Sequence, residues 1–221
     1  MATYKDLVAS YAAATNATLH IQSMITSKTV SFPAFLTNVS QDFKSSWQSE
    51  NVFGRNDPIA TFQGTTRTAT LTWNVPSASI QEARNNHVKF SNLISFLYPA
   101  YLFEKGQREI AQSIVNEQGI TEDDILQSAV SPKSVMSKSP LVKVKFANLI
   151  QAQDGTGLLG WIDNISWKPT MDLGMFTDGG NFFAKNVELS FTLNVLHQSD
   201  VGFDQNGKWV TEGNNFPFKL D

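Results

Sequence analysis

The stretch NVFGRNDPIATFQGTTRTATLTWNVPSASIQEARNNHVKFSNLISFLYPAY, Asn51–Tyr101, decides the fold of this chain. Within it, polar and apolar residues alternate from Thr68 to Val75. Because neighbouring side chains of a strand point to opposite faces, the alternation predicts a strand with one buried and one polar face. Pro76 is expected to end this strand, since proline has no backbone N–H to donate to a neighbouring strand.

A long helix is predicted directly after this strand. Ser77 or Ser79 can cap its first turn, and Glu82 follows Ser79 at the spacing of a capping box. A stripe at spacings of three and four then leads to Pro99, through Ile80, Ala83, His87, Phe90, Ile94 and Leu97. A strand that leads directly into such a helix predicts a sheet covered on one side by the helix.

A second long alternating strand is predicted over Asn186–His197. Its odd-numbered residues from Val187 to Val195 are apolar, and the residues between them are polar. Two strands therefore carry an uninterrupted polar face, over Thr68–Asn74 and over Glu188–Asn194. In a single domain such a face is ordinary solvated surface, whereas in a ring of subunits it would line a hydrophilic channel.

The remaining segments predict an α+β chain that is mainly β and has five parts. These are an N-terminal arm (1–28), a first β block with the long helix (29–103), a helical insertion (104–140), a second β block (141–197) and a C-terminal tail (198–221), with 29–197 as one domain. Helices are expected over 108–118 and 121–129, and turns over 54–58, 63–66, 154–157 and 178–181. Pro33 indicates that the strand around it lies at an edge of the sheet or contains a bulge.

Composition excludes several classes of protein. The chain has 221 residues, is 41% hydrophobic and carries a net charge of -3, so it can bury a core and lacks the basic surface of a DNA-binding protein. It has no cysteine, which excludes disulfides and thiolate sites. No segment has the length of a membrane-spanning helix or the pattern of a signal peptide, which predicts a protein made and kept in a cytoplasm.

No local motif for catalysis is present. The three histidines, His20, His87 and His197, do not have the spacing of a zinc site, and His87 is expected to be a core or interface histidine. Asp123 and Asp124 suit the first turn of a helix better than a metal site. Phosphate-binding glycine loops and a nucleophile elbow are missing as well. The sequence predicts a structural or interaction protein without enzyme activity, catalytic residues, cofactor or metal.

Two parts of the chain, about half of it, resemble the tail-tube proteins of contractile bacteriophage baseplates. The first is carried by RNDPI, RTATLTWNVPS and FLYPAY within Asn51–Tyr101. The second is WIDNISWKPTMDLGMF over 161–176, followed by VELSFTLNVLH over 187–197. These proteins are the tube initiator or junction proteins, which join the baseplate hub to the tail tube.

The resemblance implies a tail-tube fold, a β-sandwich or partial barrel with one packed helix. Six copies would form a ring that stacks on the baseplate hub and templates the tail tube or an adjacent tube ring, in a virion tail assembled in the host cytoplasm. DNA would pass through a hydrophilic lumen that is not strongly basic, without sequence-specific nucleic-acid binding and without a membrane. The residues expected to face this lumen are Thr68, Thr70, Thr72, Glu188, Ser190, Thr192 and Asn194. Arg67, Lys143 and Lys145 are alternatives for contacts between subunits.

Two other functions stay open at the level of sequence. One is another tube-fold component, either the major tail tube protein or the tail terminator of a phage or related injection system. The other belongs to a different class, a small β-rich enzyme or ligand-binding domain with a pocket at the strand ends near Trp161–Trp167.

Overall fold

The computed structural model describes residues 18–33, 35–102, 135–152, 154–210 and 216–218. In chain order the elements are β1 (Thr18–Ser23), β2 (Thr29–Pro33), β3 (Phe35–Glu50), β4 (Ile59–Pro76), α1 (Ile80–Ser95), β5 (Ala100–Leu102), β6 (Val135–Lys138), β7 (Val142–Phe146), β8 (Leu158–Pro169), a 3-10 turn (Met171–Leu173), β9 (Met175–Asp178), β10 (Asn181–Ala184) and β11 (Asn186–Val195).

The chain divides into two compact units. One consists of residues 1–97 and 141–221, and the other of residues 98–140. In the second unit β5 pairs antiparallel with β6. The helices predicted over 108–118 and 121–129 lie outside the described residues, as do the first 17 residues of the predicted N-terminal arm.

The first unit is built on one seven-stranded sheet with the order β2-β1-β7-β8-β11-β4-β3. All neighbouring strands in it are antiparallel. The predicted α+β, mainly β class is confirmed, in the form of an open sheet and one described helix. Pro33 ends β2, which lies at an edge of the sheet as predicted. An edge position suits proline because it has no N–H to donate to a further strand.

The hydrophobic core lies on one face of this sheet. Along β4 every second residue from Arg67 to Val75 is buried, as the alternation predicts. The Trp73 ring lies 5.7 Å from the Phe32 ring and 5.5 Å from the Phe191 ring, measured between centroids. Phe32 belongs to the edge strand β2, so the sheet curls until distant strands share one core. Twisted sheets of this size commonly curl in this way.

The helix α1 begins at the predicted cap. Ser79 Oγ accepts a hydrogen bond from the Glu82 N–H at 3.2 Å, while Glu82 Oε2 accepts one from the Ala78 N–H at 2.9 Å. The glutamate thus reaches one residue further back than in a standard capping box. The first bond satisfies a backbone donor of the first helical turn, and the second binds the backbone of the residue before the cap.

The predicted stripe of α1 is wrong at His87. The helix buries Ala83 and Leu93, whereas His87 is exposed. Its ring lies edge-on to Trp167 and Phe183, at centroid distances of 5.7 and 6.0 Å. Spacing along the sequence therefore does not determine which residues of the stripe are fully covered.

Two further predictions are corrected by the strands. Residues 18–23, assigned to the N-terminal arm, form β1, which lies inside the sheet between β2 and β7. The turn predicted over 63–66 lies within β4, where Gly64 has a φ of 149° next to a register shift opposite Ser46. An isolated glycine in a sequence is typical of a bulge as well as of a turn, so the sequence does not distinguish the two. The turns at 54–58 and 178–181 are confirmed, and Gly179 and Gly180 supply the positive φ angles of the second one.

Candidate functional surface

The sheet carries its polar residues on the face opposite the core. In the β4–β11 pair, Thr68 lies opposite Asn194, Thr70 opposite Thr192, Thr72 opposite Ser190 and Asn74 opposite Glu188. The structure therefore brings the seven predicted surface residues together on one face: Thr68, Thr70, Thr72, Glu188, Ser190, Thr192 and Asn194. All of them are partly exposed, and Thr70 and Thr192 share a hydrogen bond between their hydroxyls at 3.3 Å. That this face lines a lumen stays a prediction.

Neighbouring strands extend this polar face beyond the residues found from sequence. On β8, Asn164 lies opposite Thr192, Ser166 opposite Ser190 and Lys168 opposite Glu188. On β3, Ser40 lies opposite Thr70, Asp42 opposite Thr68 and Lys44 opposite Thr66. We call this surface of β3, β4, β8 and β11 the polar face. Only the registers identify these additional residues, because β3 and β8 have irregular alternation.

The polar face carries little net charge. Outside residues 45–65, its ionisable residues are Asp42, Asp163, Glu188, Lys44 and Lys168, three acids against two lysines. Lys168 Nζ and Glu188 Oε1 form an ion pair at 3.9 Å between largely exposed groups. Such a pair contributes little to stability. The surface is therefore hydrated and nearly neutral, without a patch that would hold phosphates tightly.

A bulge in β8 shapes one end of the polar face. Asp163 is the extra residue where the β8–β11 register shifts between Thr192 and Leu193. Its carboxylate accepts hydrogen bonds from Trp161 Nε1 at 2.9 Å and from Asn194 Nδ2. The bulge thus holds a partly exposed tryptophan, 41% exposed, on an otherwise polar surface.

The ligand pocket considered near Trp161–Trp167 does not form as a single site. Trp161 lies opposite Asn194 on the polar face, whereas Trp167 lies opposite Leu189 and next to α1. The cavity beside Trp167 has a volume of about 20 Å³. A space of this size holds about one water molecule, so it leaves no room for a ligand.

The strands β3 and β4 continue beyond the rest of the sheet as a long hairpin. We call residues 44–66 the arm; nearly all of them are exposed. Trp47 and Phe62 face each other across it, with ring centroids 5.1 Å apart, and are 59% and 52% exposed. Phe53, in the connecting turn, is fully exposed. Exposed aromatic residues this close together on a projecting element indicate a contact surface.

Arg67 is not available for the contact between subunits considered from sequence. It is 2% exposed and donates hydrogen bonds to Gln41 Oε1 from Nε, at 3.0 Å, and from Nη2. Its guanidinium also lies over the Phe43 and Phe216 rings. Its position in phase with the apolar residues of β4 is the sequence signal for this burial. Lys145 is engaged within the chain too, since its Nζ donates to the Gly155 carbonyl at 2.7 Å.

The described part of the chain contains no cluster of three or more histidine and acidic side chains that could hold a metal ion. Among the described residues, none of the helices has the length and apolar character needed to cross a membrane.

Comparisons with known proteins find similarity in structure alone. No protein-family model matches the chain, and no curated protein matches it in sequence. The chain is similar to one in the cryo-EM structure of the anti-feeding prophage baseplate, which was symmetrised six-fold. The two share 7% sequence identity with a TM-score of 0.30, over 80% of this chain and 87% of that one.

Proposed function

We propose that this protein is a structural, non-enzymatic component of a contractile tail. Six copies form a ring that joins the baseplate hub to the tail tube and templates tube assembly. The polar face of β4 and β11 lines a hydrophilic lumen through which DNA passes. The observation that carries this proposal is the polar face itself, which is continuous over four strands, in register and nearly neutral in charge.

The physical requirements of a DNA conduit support this assignment. A lumen must be hydrated, since apolar walls would exclude water around the DNA phosphates. It must also avoid dense positive charge, because each tight phosphate contact slows passage. The hydroxyl and amide groups of Thr70, Thr192 and Asn194 meet both requirements, and the two lysines of the face are outnumbered by three acids.

The positions of the two sequence segments that resemble baseplate tube proteins add support. The first segment contains β4 and α1, and the second contains β8 and β11. These three strands are adjacent in the sheet, in the order β8-β11-β4. The strands that carry most of the resemblance are therefore neighbours in the sheet, and their outward side forms the centre of the polar face.

Features suited to ring formation lie beside the polar face. The sheet is open, with β2 and β3 at its edges, and the 16 residues of β3 pair only with β4 among the described strands. An unpaired strand edge is a template for pairing with another chain. The arm extends from this same edge and carries Trp47 and Phe62. A neighbouring copy can bury both the edge and the arm.

The oligomeric state tests the proposal. The full chain is measured by mass photometry alone and after co-expression with the hub protein of the same tail, because a templated ring forms on its hub. Six copies bound to the hub are expected, followed by growth of tube when tube protein is added. A major tube protein would polymerise without the hub, and a terminator would cap tubes without starting them. A chain that stays single and does not bind the hub would contradict the proposal.

The arm gives a prediction about assembly. Replacing both Trp47 and Phe62 with serine is expected to abolish ring formation, because buried aromatic side chains dominate the energetics of protein interfaces. The isolated chain should remain folded and lose only about 1 kcal/mol from the aromatic pair. Circular dichroism measures folding, and mass photometry with the hub measures assembly.

The matched control is a double variant of the neighbouring residue pair on the two strands of the arm. Gln48 and Thr61 also face each other across the hairpin and are exposed, but they belong to its other face. Replacing both with serine should leave assembly unchanged. Equal assembly of the two double variants would show that the aromatic pair of the arm makes no contact between subunits.

A further inference from the structure

A second exposed apolar surface lies at the end of the sheet opposite the arm. It consists of the 3-10 turn and the β9–β10 hairpin, residues 171–184, which we call the platform. Met171, Leu173 and Phe182 of the platform are 67%, 56% and 68% exposed. Large apolar side chains with this exposure, so close together in one short stretch, indicate a contact surface.

The platform is fixed to the body of the chain by its other side chains. Arg84 of α1 forms an ion pair with Asp178, and the Phe183 ring lies 6.0 Å from the His87 ring. Phe182 points to the opposite side of β10 from Phe183, because neighbouring residues of a strand face opposite ways. Its exposed ring is therefore held on an ordered element, which lowers the entropic cost of binding a partner.

The arm of a chain cannot reach the platform of the same chain. The platform connects β8 to β11 and lies beside Pro76, which is opposite Asn186 in the sheet. The arm leaves β4 at its other end, at Thr66, and continues away from the platform. Residues 67–76 therefore separate the two surfaces by about 30 Å at the rise of a strand. Only another copy can bring an arm to this platform.

The aromatic surface of the arm has the size of a substantial part of an interface. Phe53 is fully exposed, and Trp47 and Phe62 are each about half exposed. At about 150–250 Å² per aromatic side chain, covering them buries roughly 300–500 Å², against about 800 Å² per partner in a stable interface. Polar residues around these rings can supply the remaining area. Aromatic residues and methionine, which the arm and the platform present, are enriched in interfaces.

The two surfaces also have complementary charges. Arg55 lies in the connecting turn of the arm and Asp172 lies on the platform, and both are exposed. Neither residue has an ion-pair partner within 4 Å in the part of the chain that the structure describes. Opposite charges at the rim of an apolar contact favour one orientation of the partners.

We propose that the arm of one copy docks on the platform of the next copy. This inference rests on the proposed function, since it names the surface that receives the arm within the ring. The arm and the platform are different surfaces, so each copy inserts one arm and receives one. Repeated head-to-tail contacts of this kind produce a ring when the rotation between copies closes.

Cross-linking between copies tests the contact directly, because the chain contains no cysteine of its own. One tagged chain carries Asn56→Cys in the connecting turn of the arm, and a differently tagged chain carries Thr177→Cys on the platform. Both positions are exposed. The two full-length chains are mixed with the hub protein and treated with a flexible bismaleimide. The readout is the rate at which a product with both tags forms.

The control pairs Asn56→Cys with Ser91→Cys, an exposed position on α1 outside the platform. Asn56→Cys is expected to link to Thr177→Cys about tenfold faster or more, since docking raises the local concentration of the two thiols. Equal rates for the two pairs would overturn the proposal.

Two double variants test which side chains make the contact. The arm variant replaces Trp47 and Phe62 with serine, and the platform variant replaces Leu173 and Phe182 with serine. All four residues are exposed, so both variants should remain folded by circular dichroism. Each variant alone should fail to form rings on the hub.

The cysteines are then placed on these variants in both combinations. With Asn56→Cys on the platform variant and Thr177→Cys on the arm variant, an intact arm meets an intact platform, and linking should persist. With the two cysteines exchanged, linking should fall to the rate of the Ser91→Cys control. Linking that persists after the exchange would show that these aromatic and platform residues do not make the contact.

The same experiment separates failure of this inference from failure of the ring. Fast linking in an assembly with a number of copies other than six contradicts the ring proposal and supports the contact. Six-copy rings in which Asn56→Cys and Thr177→Cys link no faster than the control contradict the contact and leave the ring standing.

Discussion

Trp73→Asp is expected to eliminate soluble, folded protein. Trp73 is 0% exposed at the centre of the core and contacts Phe32 and Phe191. Removing a buried aromatic side chain costs about 3–5 kcal/mol, and placing an unpaired carboxylate there costs several more. The sum is comparable to the entire stability of a typical domain, about 5–15 kcal/mol. The measurement is the soluble fraction after expression, followed by circular dichroism.

Thr70→Asp is the matched control for this prediction. Thr70 lies on the same strand, three residues away, but on the polar face and partly exposed. Aspartate there loses β propensity and the hydroxyl contact with Thr192, at a cost of about 1 kcal/mol. The variant should fold and remain soluble. Similar behaviour of the two variants would show that the two faces of β4 are assigned wrongly.

Gly160→Ala is the second change expected to have a large effect. Gly160 pairs with Val142 on one side and Val195 on the other, so it lies inside the sheet. A Cβ atom at this position would lie 2.1 Å from the backbone carbonyl oxygen of Asn194 and 3.0 Å from Leu193 Cδ1. The backbone cannot move aside as the end of a flexible side chain can, so β8 and β11 must separate locally.

This separation is expected to cost about 3 kcal/mol or more, the upper part of the range for overpacked interiors. For a chain of this size that corresponds to a fall in Tm of about 6–12 °C in thermal unfolding. Gly202→Ala is the control, because a Cβ atom at Gly202 meets nothing within 4 Å. Its effect should stay within about 0.5 kcal/mol. A Gly160→Ala variant as stable as Gly202→Ala would contradict the close approach of β8 and β11.

The parts of the fold that could be predicted from sequence are those determined by burial on one face. The alternations over Thr68–Val75 and Val187–Val195 follow directly from one apolar and one polar side of a strand, and both strands formed as predicted. The helix cap at Ser79 could also be predicted, because the backbone donors it satisfies lie within three residues. Local chemistry and simple periodicity suffice in these cases.

The parts that sequence did not reveal depend on contacts between distant residues. Strand β1 has only six residues, and β7, one of its partners, lies more than a hundred residues further along the chain. His87 is exposed although its ring contacts Trp167 and Phe183, and neither contact can be read from the local sequence. Gly64 indicated a turn because a glycine in a bulge and one in a turn look alike in sequence.

The candidate surface, too, could be predicted only where alternation along one strand is sufficient. The seven residues on β4 and β11 were found from alternation, whereas Asn164, Ser166, Ser40 and Asp42 became part of the polar face only through the strand registers. Arg67 is an intermediate case. Its position in the alternation along β4 predicts burial, whereas its charge predicts an exposed contact. In the structure Arg67 is buried on the core side of the sheet.

Cryo-electron microscopy of the chain assembled on its hub tests the central claim most directly. The predicted result is a six-fold ring in which the hydroxyls of Thr70 and Thr192 face the central channel and Trp73 lies within each subunit. A map in which the polar face of β4 and β11 points to the outside of the particle, or is buried against another protein, would contradict it.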